Sequence, residues 1–187
     1  SFITFALNWY IDPQGVLGFH LVNIGIHALT AWLLFLTILH LLDTPALKEK
    51  YSVHRYQIAL MAAILWAVHP LQTQAVTYIV QRMTLLATLF YVLSILCYIR
   101  ARLGKSGLRR WLLFLCCALS FALGLGSKEI AATLPIALIL VETVFFQDLS
   151  KPGVRKKLLI LFGAALIAVV VLGSVFFLPL EKSKGIV

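Results

Sequence analysis

The stretch Val16–Leu42, VLGFHLVNIGIHALTAWLLFLTILHLL, decides the fold class of this chain. It contains no Asp, Glu, Lys or Arg, and it exceeds the roughly 20 apolar residues that a helix needs to cross the hydrocarbon core of a bilayer. Asp43-Thr44-Pro45 follows directly and ends the run, because proline cannot continue a helix. The stretch therefore predicts a tilted transmembrane helix.

The composition of the whole chain agrees with this prediction. Of the 187 residues, 61% are hydrophobic and only 12% are charged, whereas a soluble domain carries roughly 25% charged residues. So few charged residues cannot cover a water-exposed surface, and lipid must cover it instead. We predict an all-α fold, a polytopic transmembrane helical bundle that forms a single domain over residues 1–187.

Further apolar runs predict about six membrane segments in all. The additional segments are Tyr56–Val68, Met83–Ile99, Trp111–Gly126, Ile130–Phe146 and Leu158–Phe177. The first of these is too short to span unless its helix continues, kinked, beyond Pro70. Between it and the next run, His69–Arg82 is predicted to form a short amphipathic helix at the interface. The polar turn Ser127–Glu129 predicts a helical hairpin.

The basic residues predict the orientation of these segments. Lys and Arg total 16 against 7 acidic residues, a formal charge of +9. Most of the cations fall in three loops, Lys48–Arg55, Arg100–Arg110 and Lys151–Lys157, which are expected on the cytoplasmic side. Topology and anionic lipid account for this charge, so nucleic acid is not an expected partner.

The sequence contains no recognised metal or cofactor motif. Cys97, Cys116 and Cys117 lie inside apolar runs, without CxxC or Cys/His ligand spacing. Neither a nucleophile elbow nor a phosphate-binding glycine loop is present. We therefore expect no bound metal and no cofactor.

Polar residues on the predicted non-cytoplasmic side are the best candidates for a site. One element supplies His69, Gln72, Gln74 and Arg82, and the turn near residue 128 supplies Lys128 and Glu129. Arg offers a bidentate fork and Lys a point charge, which suits an anionic, sugar-bearing or lipid-phosphate ligand. The alternative is that Lys128 and Glu129 merely terminate a turn at the level of the lipid headgroups.

The first helix carries a polar stripe of its own. His20, Asn23, His27 and Thr30 recur at helical spacing on an otherwise apolar segment. Such a stripe either faces a functional site or forms hydrogen bonds between helices. The two imidazoles are roughly 10 Å apart along the helix axis, too far to bind one metal. Glu142 is expected to pair with an Arg or Lys from an adjacent loop.

Several short strings also resemble a known family. They are GFHLVNIGIH from Gly18 to His27, HPLQTQAV from His69 to Val76, Arg82, and Ser127-Lys128-Glu129. Together they resemble the membrane domain of the transmembrane and tetratricopeptide-repeat protein O-mannosyltransferases, especially their bacterial relatives. That family belongs to the GT-C class of glycosyltransferases. The resemblance implies transfer of a sugar from a polyprenyl-phosphate carrier to protein hydroxyls on the non-cytoplasmic side, and location in a bacterial inner membrane.

The resemblance also implies roles for individual residues. His69, Gln74, Arg82, Lys128 and Glu129 would lie beside the sugar phosphate, where Arg82 and Lys128 would stabilise the departing lipid phosphate. The family often has His where this chain has Gln72 and Glu where it has Gln74, and Gln cannot act as a base. The catalytic residue is therefore unknown. An acid is expected upstream of Ser1, and the family's C-terminal repeats are absent, so we expect an incomplete membrane domain that is inactive alone.

Two alternatives stay open at the level of sequence. The chain could be a non-catalytic accessory or scaffold subunit, whose partners would be other membrane subunits. It could also be a transporter for lipid-linked sugars, although no continuous polar track crosses its later segments. The preferred interpretation, part of a membrane glycosyltransferase, predicts membrane lipid, a polyprenyl-phosphate-linked sugar and an acceptor protein as partners.

Overall fold

The computed structural model describes residues 2–11, 16–104 and 107–147, together with the single positions Gly153, Ile160 and Gly163. Within these ranges the regular structure is entirely helical, which confirms the all-α fold class for this part of the chain. Two compact units are present, Ser1–Ala131 and Ala132–Val187. The prediction of a single domain over residues 1–187 stays a prediction.

Eight α-helices and two short 3₁₀ turns are the regular elements assigned within the described residues. The helices are α1 (Phe2–Ile11), α2 (Val16–Leu41), α3 (Lys48–Tyr51), α4 (Arg55–Ala67), α5 (Gln72–Thr77), α6 (Arg82–Leu103), α7 (Leu108–Leu125) and α8 (Leu134–Phe145). The 3₁₀ turns are Ile79–Gln81, directly before α6, and Glu129–Thr133, directly before α8.

Within the described ranges, three helices are long and apolar enough to cross a membrane, as expected for an integral membrane protein. They are α2 with 26 residues, α7 with 18, and α6, which together with the preceding turn covers the 25 residues Ile79–Leu103. The corresponding sequence predictions are confirmed in position. The run Tyr56–Val68 forms the 13-residue α4, and Ile130–Phe146 contains the 12-residue α8. Leu158–Phe177 lies outside the described residues, so the count of six stays a prediction.

The prediction of one amphipathic helix over His69–Arg82 is wrong in extent. Helix α5 covers only Gln72–Thr77, and Tyr78 is extended, with φ −86° and ψ 118°. This bend turns the Tyr78 carbonyl toward α2, where the Asn23 amide donates a hydrogen bond to it (N···O 3.4 Å). A contact 55 residues away in sequence therefore helps to hold the break, and the local apolar pattern does not reveal it.

The connection before α2 is shorter than the polar interval in the sequence. Asn8–Gly15 separates the first apolar run from Val16, but Asn8–Ile11 continue α1. The reason is the apolar run that precedes Asn8, which forms a helix of its own. Asp12, the only acid in this interval, lies outside the described residues.

The long helices of the first unit have a defined direction. Asn23 near the start of α2 bonds Arg82 at the start of α6, and His40 near the end of α2 lines a pocket with Arg100 near the end of α6. Helices α2 and α6 therefore run parallel. Helix α4 runs antiparallel to α2, since Ala67 at its end contacts His27.

Helix α7 runs antiparallel to α6, and the bundle therefore has two chemically different ends. The "Arg82 end" contains Asn8, Asn23, Arg82 and Lys128, and the "His40 end" contains His40, Arg55, Arg100 and Arg110. The predicted loops Lys48–Arg55 and Arg100–Arg110 thus meet at the same end. Which side of the membrane this end faces stays a prediction, and Lys151–Lys157 lies outside the described residues.

Helix α6 is the centre of the first unit. Half of its span is buried within the protein, against 22% for α2 and 17% for α7. Leu33 of α2 packs with Leu86, Leu89 and Leu96 of α6 in one apolar cluster. Toward α7, the Ser94 hydroxyl donates to the Cys117 carbonyl (O···O 2.9 Å), an interhelical bond common in membrane bundles. The outer faces of α2 and α7 expose large apolar side chains, as expected for contact with lipid.

Candidate functional site

Arg82 is the most unusual side chain at the Arg82 end. It begins α6 and is completely buried, with 0% of its surface exposed. Its Nε donates to Asn23 Oδ1 at 2.9 Å and its Nη1 donates to Asn8 Oδ1 at 2.7 Å. Backbone carbonyls of Thr4 and Phe19 accept from Nη1 at 3.1 Å and from Nη2 at 3.0 Å. A single guanidinium therefore connects α1, α2 and α6.

Two aromatic rings complete the environment of this guanidinium. The Arg82 Cζ lies 4.6 Å from the ring centroid of Phe5 and 5.4 Å from that of Phe19, within the range of cation–π attraction. Among the described residues no carboxylate forms a salt bridge with Arg82. The buried charge is stabilised by neutral oxygens and ring faces, which compensate for the loss of water. A guanidinium has five N–H groups, so the four protein hydrogen bonds leave one.

Lys128 lies at the same end, in the turn after α7. Its Nζ donates to Thr84 Oγ1 at 2.9 Å, and Thr84 Oγ1 donates to Gln81 Oε1 at 2.7 Å. This row of bonds links the α7 turn to the start of α6. The Lys128 side chain is half-buried, and an ammonium has three N–H donors. Its one hydrogen bond to a described residue therefore leaves two donors for a ligand.

Close packing of the end of α7 against α6 allows Lys128 to reach Thr84. Gly124 is buried, and a Cβ at this position would lie 3.2 Å from the Ala131 Cβ and 3.6 Å from the Phe90 Cβ. A side chain there would push the turn away from α6. Gly124 therefore allows tight packing of α7 just before the turn.

The predicted residues of the α5 region lie near this site but do not contact its cations. His69 and Gln74 are exposed and Gln72 is half-buried. The Leu71 N–H donates to His69 Nδ1 (N···N 3.3 Å), which places the proton of a neutral His69 ring on Nε2. Helix α5 packs against α2 and α6. Within the described ranges, no hydrogen bond joins these three residues to Arg82 or Lys128.

The polar stripe of α2 mainly forms contacts between helices. His27 Nε2 lies 2.9 Å from the Ala67 carbonyl of α4, and its ring stacks on Trp66 at 4.9 Å. Because a carbonyl can only accept, Nε2 carries the proton. Thr30 is buried and bonds the Ile26 carbonyl of its own helix. These contacts favour the interhelical interpretation for Asn23 and His27, while ligand contacts by His20 and His27 stay predictions.

The acidic candidates occupy different environments. Glu129 is exposed and begins the 3₁₀ turn after Lys128. Glu142, in the second unit, accepts a hydrogen bond from Gln147. No three His, Cys, Asp or Glu side chains gather into a metal-binding group in the part of the chain that the structure describes.

Sequence reasoning missed the contribution of α1 to this site. The Asn8 side chain and the Thr4 carbonyl contact Arg82 across 74 and 78 residues, and Phe5 covers its guanidinium. The one available signal was an isolated amide at the end of an apolar run. The prediction that Arg82 contacts a sugar phosphate stays a prediction, with most of its N–H groups engaged by the protein.

Comparison with known proteins gives partial matches to protein O-mannosyl-transferases. The chain is 34% identical over 100 residues to the human protein O-mannosyl-transferase TMTC3, which covers 54% of this chain and 10% of that protein. It is 35% identical over 103 residues to the Drosophila melanogaster protein O-mannosyl-transferase Tmtc1, covering 55% and 11%. The match to Drosophila melanogaster Tmtc3 is 32% identical over 128 residues, covering 62% and 14%.

The chain therefore spans only about a tenth of the length of the curated relatives it matches. No protein-family model and no solved structure matches it. These relatives are named as protein O-mannosyl-transferases. Over somewhat more than half of its length, this chain is related to the protein O-mannosyl-transferases.

Proposed function

We propose that this chain is part of a membrane-embedded glycosyltransferase of the GT-C class. It transfers a sugar from a polyprenyl-phosphate carrier to hydroxyl groups of an acceptor protein, on the non-cytoplasmic side of a bacterial inner membrane. The observation that carries the proposal is the similarity to protein O-mannosyl-transferases. Three helices long enough to span a membrane agree with a lipid-linked donor.

The Arg82 end is the proposed donor site. When the bond from the sugar to the carrier breaks, negative charge accumulates on the lipid phosphate. A fixed cation beside that phosphate lowers the barrier, because it interacts more strongly with the transition state than with the ground state. Lys128 suits this task, since its half-buried ammonium has two donors beyond its bond to Thr84.

Arg82 has a different role in this proposal. Its four protein hydrogen bonds hold α1 and α2 against the start of α6, which sets the position of the adjacent Gln81 and of Thr84 two residues further on. Arg82 thereby positions the residues that hold Lys128. Because Arg82 is 0% exposed, its guanidinium would act on a donor phosphate through its positive charge and not through a direct contact.

The remaining candidates would recognise the sugar. His69, Gln72 and Gln74 carry neutral hydrogen-bonding groups, which suit sugar hydroxyls, and His20, His27 and Glu129 complete the candidate set. A glutamine cannot accept a proton usefully at neutral pH. None of these amides is therefore proposed as the base that activates the acceptor hydroxyl.

The test is the substitution Lys128→Gln in the intact protein, assayed for sugar transfer from polyprenyl-phosphate to acceptor protein. We expect a loss of about 100-fold in kcat, the range seen when one donor to a developing oxyanion is removed. Lys48→Gln is the matched control, because Lys48 is an exposed lysine at the opposite end. Lys128→Arg should recover part of the rate, since it keeps the charge. Full activity in Lys128→Gln would remove Lys128 from the site.

A further inference from the structure

The His40 end contains a basic pocket that the proposed transfer reaction does not use. It has a volume of about 450 Å³ and lies between the ends of α2 and α6 and the start of α7. The lining residues are His40, Arg100, Leu103, Gly104, Arg109, Arg110 and Leu113. The volume falls within the range of ligand-binding pockets in proteins, roughly 300 to 1,000 Å³.

Among the residues that the structure describes, no acidic side chain compensates the charge of this pocket. Three arginines line it, and no acidic residue does so among the described residues. The nearby Asp43 already forms an ion pair with Arg55. The hydrogen bond that Arg55 donates to the Asp43 carboxylate raises the pKa of Arg55. Arginine stays protonated at any physiological pH. The pocket therefore holds a permanent positive potential that an anion would stabilise.

The local helix geometry increases this potential. Arg109 and Arg110 lie in the first turn of α7, which contains no acidic residue, and Gly107 before it provides no side-chain cap. The N-terminus of a helix carries a partial positive charge, so cations there are unfavourable. His40 adds a further polar group: its Nδ1 donates to the Leu36 carbonyl at 2.7 Å, which leaves Nε2 for a ligand.

We propose that this pocket binds a phosphate group, whose oxygens several guanidinium groups can contact in bidentate fashion. A membrane lipid is the favoured source of that phosphate. Leu103 and Leu113 give the pocket an apolar side beside its arginines, as a headgroup and the start of its acyl chains require. The pocket also lies at the ends of the three candidate membrane spans. A span of about 20 residues matches the thickness of the hydrocarbon core, so such ends are expected near the headgroups, and basic pockets between such helices bind anionic headgroups.

The test measures binding of phosphatidylglycerol to the purified intact protein in neutral detergent, by native mass spectrometry. Arg100→Gln combined with Arg110→Gln should weaken binding by roughly 30-fold, the effect of two cations near a lipid phosphate. The matched control is Lys48→Gln with Lys50→Gln, which removes two exposed charges from the same end and should leave binding within about threefold. Phosphatidylcholine, which has the same phosphodiester without net charge, should bind much more weakly.

A second arm separates a lipid from a free anion. Inorganic phosphate should not displace phosphatidylglycerol at millimolar concentration if the lipid is the natural ligand. Displacement that depends on Arg100 and Arg110 would keep the phosphate site and assign it to a soluble phosphate. Equal weakening by the two double variants would mean diffuse surface charge and would overturn the proposal, as would equal affinity for phosphatidylcholine.

A charge-conserving variant protects the experiment against a change in membrane insertion, since removing loop cations can alter topology. Arg100→Lys with Arg110→Lys keeps both charges but loses the planar fork. We expect phosphatidylglycerol binding between that of the native protein and that of the glutamine variant. Native affinity in this variant, together with native affinity in the glutamine variant, would exclude the pocket as the binding site.

Discussion

The two ends of the bundle use the same residue type in opposite ways. At the Arg82 end one guanidinium is 0% exposed and is surrounded by oxygens of Asn8, Asn23 and the backbone. At the His40 end, Arg100 and Arg110 are half-buried and line an open pocket. The difference is whether the protein itself supplies the hydrogen-bond acceptors. Where it does, the arginine holds helices together. Where it does not, the arginine is available to an external anion.

This contrast also changes how the charge of +9 is understood. Grouped basic residues predict orientation in a membrane, and that single explanation would cover every arginine in the chain. The structure separates them by burial and by hydrogen-bond partner. Charge counting alone therefore assigns the same role to residues whose removal should have very different consequences.

Removal of Arg82 is expected to have the largest effect on stability. Arg82→Leu leaves the buried Asn23 amide and the Asn8 amide without their charged donor, and each such group costs about 1–3 kcal/mol. We expect the free energy of unfolding in detergent to fall by about 3 kcal/mol or more, and sugar transfer to fall with it. Arg109→Leu is the control at the opposite end. Similar losses in the two variants would contradict the comparison.

Substitution of either asparagine that contacts Arg82 should lower the free energy of unfolding by an intermediate amount, and the two losses should differ. Asn23 is 0% exposed and bonds both Arg82 and the Tyr78 carbonyl, whereas Asn8 is half-buried and bonds Arg82. We expect Asn23→Ala to cost about 2 kcal/mol and Asn8→Ala about 1 kcal/mol. Denaturant titration of the detergent-solubilised variants measures both. A larger cost for Asn8→Ala would place the main anchor of Arg82 on α1 instead of α2.

The smallest effect on stability is expected at the His40 end. Arg109 is exposed and lies in the first turn of α7, where its charge opposes the helix dipole. Arg109→Gln should leave the free energy of unfolding within about 0.5 kcal/mol in neutral detergent. The same variant should reduce phosphatidylglycerol binding. A stability loss comparable to that of Arg82→Leu would show that Arg109 has a structural partner.

Residues of the site could be predicted from local sequence patterns, but contacts between residues far apart in the sequence could not. Lys128 and Gln81 were recognisable as polar residues between apolar runs, but their link through Thr84 was not. Gln81 lies in the turn before α6, Thr84 on α6 and Lys128 in the turn after α7. Asn23 was identified within a helical stripe. Its partner could not be inferred, because Arg82 is 59 residues away and nothing local specifies which helices pack together.

The sequence by itself determined the all-α membrane architecture, the positions of α2, α6 and α7, and the grouping of Lys48–Arg55 with the loop that begins at Arg100. These follow from hydrophobic length and from the alternation of polar connections, both of which are local. Only the tertiary structure decided that Asn8 and Asn23 enclose Arg82, that the chain bends at Tyr78, and that three arginines share one pocket with His40. The physical reason is that a buried or crowded charge selects its partners by proximity in space, which the packing of distant helices creates.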